Sequence, residues 1–375
     1  MPRIRLKPGN LPRHASRCRD DFEFSDVQPR VRVHADRGVD QQVTTLAPFA
    51  MSRTPAPLSR HPAWLLILRD AFRHQVFLLE ARQQGRTTGL LPLAAVRSRL
   101  FGRFLVSLPY LNSNGIIAES PAAAEALLSQ AVKLADELGV RYLELRHETP
   151  TMHPAINAQL SSKVHMRLRL PGSPEELWKQ LDAKVRNQVR KAEKQSFELA
   201  WGGAELLDPF YAVLSENMRD LGTPVYGKNL FLRILHEFPG DAELCVLHLQ
   251  KKPVAAALLL HGSGTTEVPT ASSLRAYNSS CANMLMYRHL LDRAILRGQS
   301  LFDFGRSTID SGTHRFKKQW GAEAFPAHWQ YHVRVGDVGE MRPDHPRYAW
   351  MIKLWQHLPV RWTQIIGPRI VRGIP

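Results

Sequence analysis

The residues best suited to chemistry lie between Leu301 and Gln330. Leu301-Phe-Asp-Phe-Gly-Arg reads as a short apolar strand that ends on Asp303 and Gly305, with Arg306 just beyond. A second basic segment follows as Phe316-Lys-Lys-Gln-Trp-Gly-Ala. A strand end that delivers a carboxylate and cations to a cleft can bind an anionic substrate and stabilise charge that develops in acyl transfer. Asp303 can serve as a general base or orient Arg306 or Lys317, and it can equally be one half of a structural ion pair. Arg306 can clamp phosphate or carboxylate through two bonds. If the second segment is a strand, Lys318 points away from Lys317 and into solvent.

Other groups extend this constellation. Leu177 to Gln195 reads as one helix with an apolar stripe of Leu177, Leu181, Val185, Val189 and Ala192. Its remaining surface crowds Lys184, Arg186, Arg190, Lys191 and Lys194 together. Such like charges repel at these spacings, which points to an anionic partner or to a solvated basic face. Arg219 and Tyr226 close a helix and enter a loop that can line the cleft, and Ser272 and Ser273 lie on a strand where they can bond substrate. No nucleophile-elbow pattern accompanies these serines, and no histidine or cysteine spacing suggests a metal.

The chain has 375 residues, enough for two domains, with 44% hydrophobic and 22% charged residues. Three cysteines, far apart, suit a reducing compartment. The net charge of +16 attracts polyanions or an anionic membrane face, or is ordinary surface charge. Residues 1–30 read as a disordered leader without the apolar core of a secretory signal.

The elements that would position these groups come in the same order twice. A helix, a hairpin, a third strand, a helix stopped by glycine (Gly139, then Gly298) and a final strand recur in residues 31–165 and 166–340. Hairpins mixed with crossing helices predict an α/β (α+β) fold of two mixed-sheet units. The strand at Tyr331 is expected to close the second sheet. Residues 341–375 form a basic, Trp-rich tail whose helix, about Pro346 to Leu358, suits either packing on the domain or a membrane interface.

Several segments together resemble the FemAB family of acyltransferases, most closely its exosortase/PEP-CTERM-associated branch. They are Leu90-Leu-Pro-Leu, Ser98-Arg-Leu-Phe-Gly-Arg and Ser107-Leu-Pro, then Ala183-Lys-Val-Arg-Asn-Gln-Val-Arg-Lys-Ala and Asn217-Met-Arg-Asp-Leu-Gly-Thr-Pro. Glu267-Val-Pro-Thr-Ala-Ser-Ser and Phe302-Asp-Phe-Gly-Arg-Ser through Phe316-Lys-Lys-Gln-Trp-Gly-Ala complete the set. The resemblance implies two tandem GNAT-like folds, the second catalytic, that move an acyl or aminoacyl group to an amine or hydroxyl. It makes Lys317 a site lysine and Arg186 a substrate-side group; without it, Lys317 reads as a surface residue. It implies no bound cofactor, a donor that is acyl-CoA or aminoacyl-tRNA, and an anionic small-molecule or lipid-linked glycan acceptor of the cell envelope or of exopolysaccharide. It further implies action in the cytoplasm, with peripheral contact at the inner membrane and no stable DNA binding. The Arg/Gln-x-x-Gly-x-Gly/Ala loop of CoA-using enzymes and the helical-arm insertion of some tRNA-using members are both missing from the sequence. The rival expectations are a non-catalytic polyanion-binding protein and a degenerate scaffold of an envelope assembly.

Overall fold

Alternating apolar runs build two sheets, and helices packed between them tie them into one body. The computed structural model describes residues 28–52, 54–98, 101–338 and 349–374. The expected leader falls almost wholly outside the described residues, as does the start of the expected tail helix.

The first unit runs β1 (Arg30–Ala35), α1 (Val39–Ala50), α2 (Trp64–Phe72), β2 (Gln75–Gln83), β3 (Arg86–Ser98) and β4 (Gly102–Val106). It continues through β5 (Ile117–Ala118), α3 (Pro121–Glu137), β6 (Tyr142–His147) and β7 (Ala158–Leu160). The second runs β8 (Lys163–Arg169), α4 (Pro174–Gln180), α5 (Ala183–Glu193), β9 (Phe197–Gly202), α6 (Leu207–Asp220) and α7 (Lys228–Glu237). Then come β10 (Ala242–Leu249), β11 (Lys252–His261), β12 (Thr265–Ser273), α8 (Ala282–Leu296), β13 (Leu301–Thr308), α9 (Gly312–Lys318) and β14 (Glu323–Pro326). The chain ends in β15 (His328–Val333), α10 (Ala349–Gln356) and α11 (Val360–Val371).

One sheet has the order β1-β2-β3-β4-β6-β15-β7, with β5 against β3; the other is β14-β8-β13-β12-β11-β10-β9. Both contain the same irregularity. β4 and β6 pair in parallel only at Phe104–Tyr142, Leu105–Leu143 and Val106–Glu144. β12 and β13 pair in parallel only at Thr265–Leu301, Thr266–Phe302 and Glu267–Asp303. Beyond these rungs the strands diverge, so each sheet opens at the same point, as duplicated mixed-sheet units should.

Three readings of the sequence are corrected. β15 does not close the second sheet: β14 takes the edge beside β8, and the chain crosses to pair β15 between β6 and β7. There Tyr331 is buried beside Tyr142 and Phe104, apolar cover that a solvent edge would lack. Leu177 to Gln195 is two helices, because Leu181 is extended (ψ 142°). The freed carbonyls of Trp178, Lys179 and Leu181 accept from Nη1 of Arg186 at 3.5, 3.3 and 2.6 Å. Lys317 and Lys318 lie on helix α9, not a strand, with the Ser311 hydroxyl accepting from the His314 amide as its N-cap.

The units are fused by a shared core. Trp64, Leu68 and Phe72 of α2 join Phe210 and Leu214 of α6 and Phe231 of α7 in one buried cluster. A strap before α2 crosses to the β11–β12 turn, where Ala56 and Ser263 exchange backbone bonds of 2.8 and 2.9 Å. A Cβ at Gly262 would stand 2.2 Å from the Ala56 carbonyl oxygen, so this approach needs glycine.

Candidate functional site

The divergence of β12 and β13 opens toward the first unit, and polar side chains from both units fill the seam. Asp303, on the last shared rung, accepts from the Gly305 amide at 2.7 Å and from Nε of Arg167 on β8 at 2.8 Å. The other arm of Arg167 reaches Glu148 of the first unit in a two-bond pair of 2.6 and 3.1 Å, and Ser113 donates to the same carboxylate at 2.7 Å. Burial opposes ionisation of Glu148, yet Arg167 and Ser113 hold its pKa down at about 2. This chain of bonds makes the seam a fixed structure.

Gly305 lies at φ +77°, inside a bulge where the β13–β8 register slips between Asp303 and Arg306. A Cβ there would come within 2.9 Å of Nδ2 of Asn112, a first-unit residue. The bulge re-aims Arg306 across the seam. Its Nε donates to Oδ1 of Asn112 at 3.2 Å, and its guanidinium carbon sits 3.8 Å from the centroid of the Trp329 ring. Arg146 lies 4.1 Å from the same ring and is paired with Glu144 at 2.7 Å. Arg306 has no carboxylate within ion-pair distance among the described residues. Burial and the charge of Arg146 push its pKa down to about 9.

Lys317 is buried (8% exposed) beneath the bulge. Its Nζ donates to the carbonyls of Gly305 and Arg306 at 3.1 and 2.9 Å, so it clamps the segment that presents Arg306. Burial pushes this ammonium down to about 8. Beside Asp303, Glu267 accepts from the Ser59 amide at 2.9 Å and from its hydroxyl at 2.7 Å. Burial and the Asp303 charge push Glu267 up to about 7. His165, on the same strand as Arg167, is buried with neither ring nitrogen bonded among the described residues. Its burial lowers its pKa and favours the neutral ring.

Of the residues singled out in the sequence, Asp303, Arg306 and Lys317 come together here. Tyr226 approaches from the loop after α6; burial raises its pKa, and the charges of Arg146 and Arg306 oppose that rise. The structure brings neither Arg186 nor Arg219 to this cluster: Arg186 caps α4, and Arg219 pairs with Asp220 at 2.6 Å. Ser272 accepts from Asn217 at 3.1 Å on the far part of β12, and Ser273 beside it is half-buried. Sequence reasoning missed Arg167, His165, Glu148, Asn112 and Trp329. The run Lys163-Val-His-Met-Arg-Leu-Arg held a usable signal, since its polar residues alternate with apolar ones at the period of a strand.

Residues 179–318 match a family model described as an acetyltransferase (GNAT) domain. No curated protein matches the chain in sequence. Among solved structures, FemX superposes with a TM-score of 0.61 at 14% identity, covering 83% of this chain and 98% of that one. The L-PGS of Bacillus licheniformis gives 0.53 at 13% identity, over 88% of this chain and 97% of its own. The C-terminal domain of a protein from Agrobacterium fabrum, provisionally named a lysylphosphatidylglycerol synthetase, gives 0.53 at 10% identity, over 78% and 93%. These likenesses carry the fold across 78–88% of the chain. With the family match over the second unit they define an acyltransferase built from two GNAT-like units.

Proposed function

We propose that this chain is a FemAB-like aminoacyl- or acyltransferase whose reaction takes place in the seam between the units. The observation that carries the reading is Arg306. It is a largely buried guanidinium, fixed by Asn112 and Trp329 and lacking a carboxylate partner among the described residues. An unbalanced buried cation of this kind is suited to an anionic group of donor or acceptor.

In the proposed reaction the acceptor amine or hydroxyl attacks the carbonyl carbon of the donor. The proton lost by the nucleophile passes to Glu267, whose pKa near 7 suits a general base, and from there to the donor's leaving oxygen or sulfur as its bond to that carbon breaks, so the leaving group departs as a neutral hydroxyl or thiol. Arg306 holds the anionic group. Lys317 acts as a positioning residue through the two carbonyls it clamps, and Asp303 acts likewise through the Gly305 amide and Arg167. Tyr226 lines the seam. For Ser272 and Ser273 the proposed part is contact with the remoter end of the donor, and for Arg186 and Arg219 contact with an extended substrate.

The loop that would cradle a CoA pyrophosphate fits that group poorly. Residues 274–281 contain no glycine, and the amides of Leu274, Tyr277 and Cys281 already donate to the carbonyls of Val254, Leu274 and Asn278. Lys184, Arg190 and Lys191 on α5 and Lys194 at its C-cap are exposed and suit the backbone of a tRNA. An aminoacyl-tRNA is therefore the preferred donor. The fold shared with a protein provisionally named a lysylphosphatidylglycerol synthetase supports an envelope-lipid acceptor, and the FemAB resemblance supports a lipid-linked glycan, including one of exopolysaccharide. With either acceptor the proposed site of action is the cytoplasm, in peripheral contact with the inner membrane.

The test is transfer of label from aminoacyl-tRNA, and separately from acyl-CoA, to an extract of envelope precursors by the purified chain. Transfer from aminoacyl-tRNA supports the reading in full. Transfer from acyl-CoA alone overturns the donor assignment, and transfer from neither overturns the reading.

A further inference from the structure

The two C-terminal helices carry large apolar residues on the side a protein-packed helix would leave polar. On α11 the inward face is Thr363, Gly367 and Val371, all buried and four residues apart. Gly367 lies so close to Val225 that a Cβ would stand 3.0 Å from that residue's backbone. The outward face bears Trp362, Ile365 and Ile366, which are 57, 56 and 36% exposed. α10 is apolar on both its faces. Ile352 meets Gly222 and Trp355 is buried, while Trp350, Met351 and Leu354 are 65, 46 and 58% exposed. A helix stabilised only by the domain beneath it buries its large apolar side chains and exposes its small or polar ones. Here large apolar side chains face outward on two successive helices, which is a patch and not scattered exposure.

The charges around the patch specify its occupant. Lys353, Arg361 and Arg369 lie on these helices and Arg372 caps the second, and residues 349–374 contain no aspartate or glutamate. Tryptophan beside aliphatic residues, fringed by arginine and lysine, matches the boundary between acyl chains and anionic headgroups. No described helix is long and apolar enough to cross a membrane.

We propose that the outer face of α10 and α11 docks on an anionic phospholipid bilayer. Trp350, Leu354, Trp362 and Ile365 enter the headgroup boundary, and Lys353, Arg361 and Arg369 meet the phosphates. For the side of the membrane the proposal rests on the peripheral inner-membrane reading; for the surface it rests on the exposed apolar face of the two helices alone. The docked helices also brace the candidate site. Gly367 and Pro368 pack on Val225 and Gly227, which flank Tyr226, and the Tyr110 hydroxyl donates to the Arg372 carbonyl at 3.0 Å. A bilayer held by this face therefore lies behind one wall of the seam.

The experiment is co-sedimentation of the full chain with vesicles of phosphatidylglycerol mixed with phosphatidylcholine, against vesicles of phosphatidylcholine alone. The wild type is expected to bind the anionic vesicles and to release as salt is raised. Trp362→Ser, Ile365→Ser and Ile366→Ser combined should lower the partition at least about tenfold while leaving circular dichroism and the thermal midpoint unchanged. If that variant fails to fold, Arg361→Glu with Arg369→Glu reads the same face and should remove the preference for anionic vesicles. Failure of the wild type to bind, or equal binding by the folded variants, overturns the proposal. A dimer in light scattering that the serine variant dissociates, without vesicle binding, overturns it in favour of a second copy of the chain. Transfer to a detergent-dispersed acceptor is measured beside it: transfer without vesicle binding removes the docking and keeps the transferase, and vesicle binding without transfer does the reverse.

Discussion

Glu267→Gln should make the protein more stable at pH 8 and leave it unchanged at pH 4. Glu267 is paired with Asp303 on the last parallel rung, with both oxygens bonded by Ser59, and burial and the neighbouring carboxylate raise its pKa from 4.5 to about 7. Between those values the folded protein keeps a proton that the unfolded chain releases, so stability falls as pH rises through that window. Above the upper value the full penalty is present, about 3 kcal/mol for a rise of this size. Below the lower value both states are protonated and the penalty vanishes. Glutamine keeps an acceptor for the Ser59 amide and carries no charge at any pH. The thermal midpoint of the variant should therefore exceed that of the wild type at pH 8, with the difference shrinking to nothing by pH 4. The assay is thermal unfolding by circular dichroism at half-unit pH intervals. A difference independent of pH, or a wild type more stable than the variant at pH 8, would refute the assignment of a raised pKa to this carboxyl. In the transfer assay the wild-type rate should climb through about pH 7, and the variant should lose that limb.

The other predictions concern the seam and the exposed basic face. Lys317→Met removes the donor shared by the Gly305 and Arg306 carbonyls and should cost about 1–3 kcal/mol of stability in thermal unfolding, with transfer falling further than the loss of folded protein explains. Arg167→Ala leaves Glu148 and Asp303 without their cation and should destabilise by about 3–5 kcal/mol in denaturant titrations at pH 7. In the wild type, the stability that Glu148 gains from its depressed pKa is complete above 4.5 and should be lost as pH falls toward about 2, a slope that an acid titration of Arg167→Ala should lack. Reversing Lys184 and Lys191 to glutamate should weaken tRNA binding and flatten its dependence on salt, while leaving duplex DNA, for which no stable complex is expected, unbound.

How much of this was legible in the sequence depended on the range of the interaction involved. The duplicated units were readable because their signals are local: alternating apolar strands, hairpin turns, and helices stopped at Gly139 and Gly298, both at positive φ. Asp303 and Arg306 were readable for the same reason, since a strand end followed by Gly305 announces a turn in direction. β15 was misplaced because its choice between two open sheet edges is made by tertiary packing, with β14 occupying one edge and Tyr142 covering Tyr331 at the other. Lys317 was placed on a strand because the seven residues of α9 are too few to display helical periodicity, and only Ser311 as a cap hinted otherwise. The break at Leu181 was hidden because the apolar stripe stays in phase across it. Partners drawn from the other unit, Asn112, Glu148 and Ser59, lie more than a hundred residues from their bonds to Arg306, Arg167 or Glu267 in two of the three cases, and no local pattern encodes them.

The central claim is that the Arg306 seam performs group transfer to an envelope acceptor. Its most direct measurement is mass spectrometry of envelope lipids, glycans and their precursors from cells carrying the wild type, Arg306→Ala, or no copy. The account predicts an acyl or aminoacyl mass addition in the first cells alone, with the variant present at normal abundance. The same masses in all three, or an addition that survives Arg306→Ala, would contradict it.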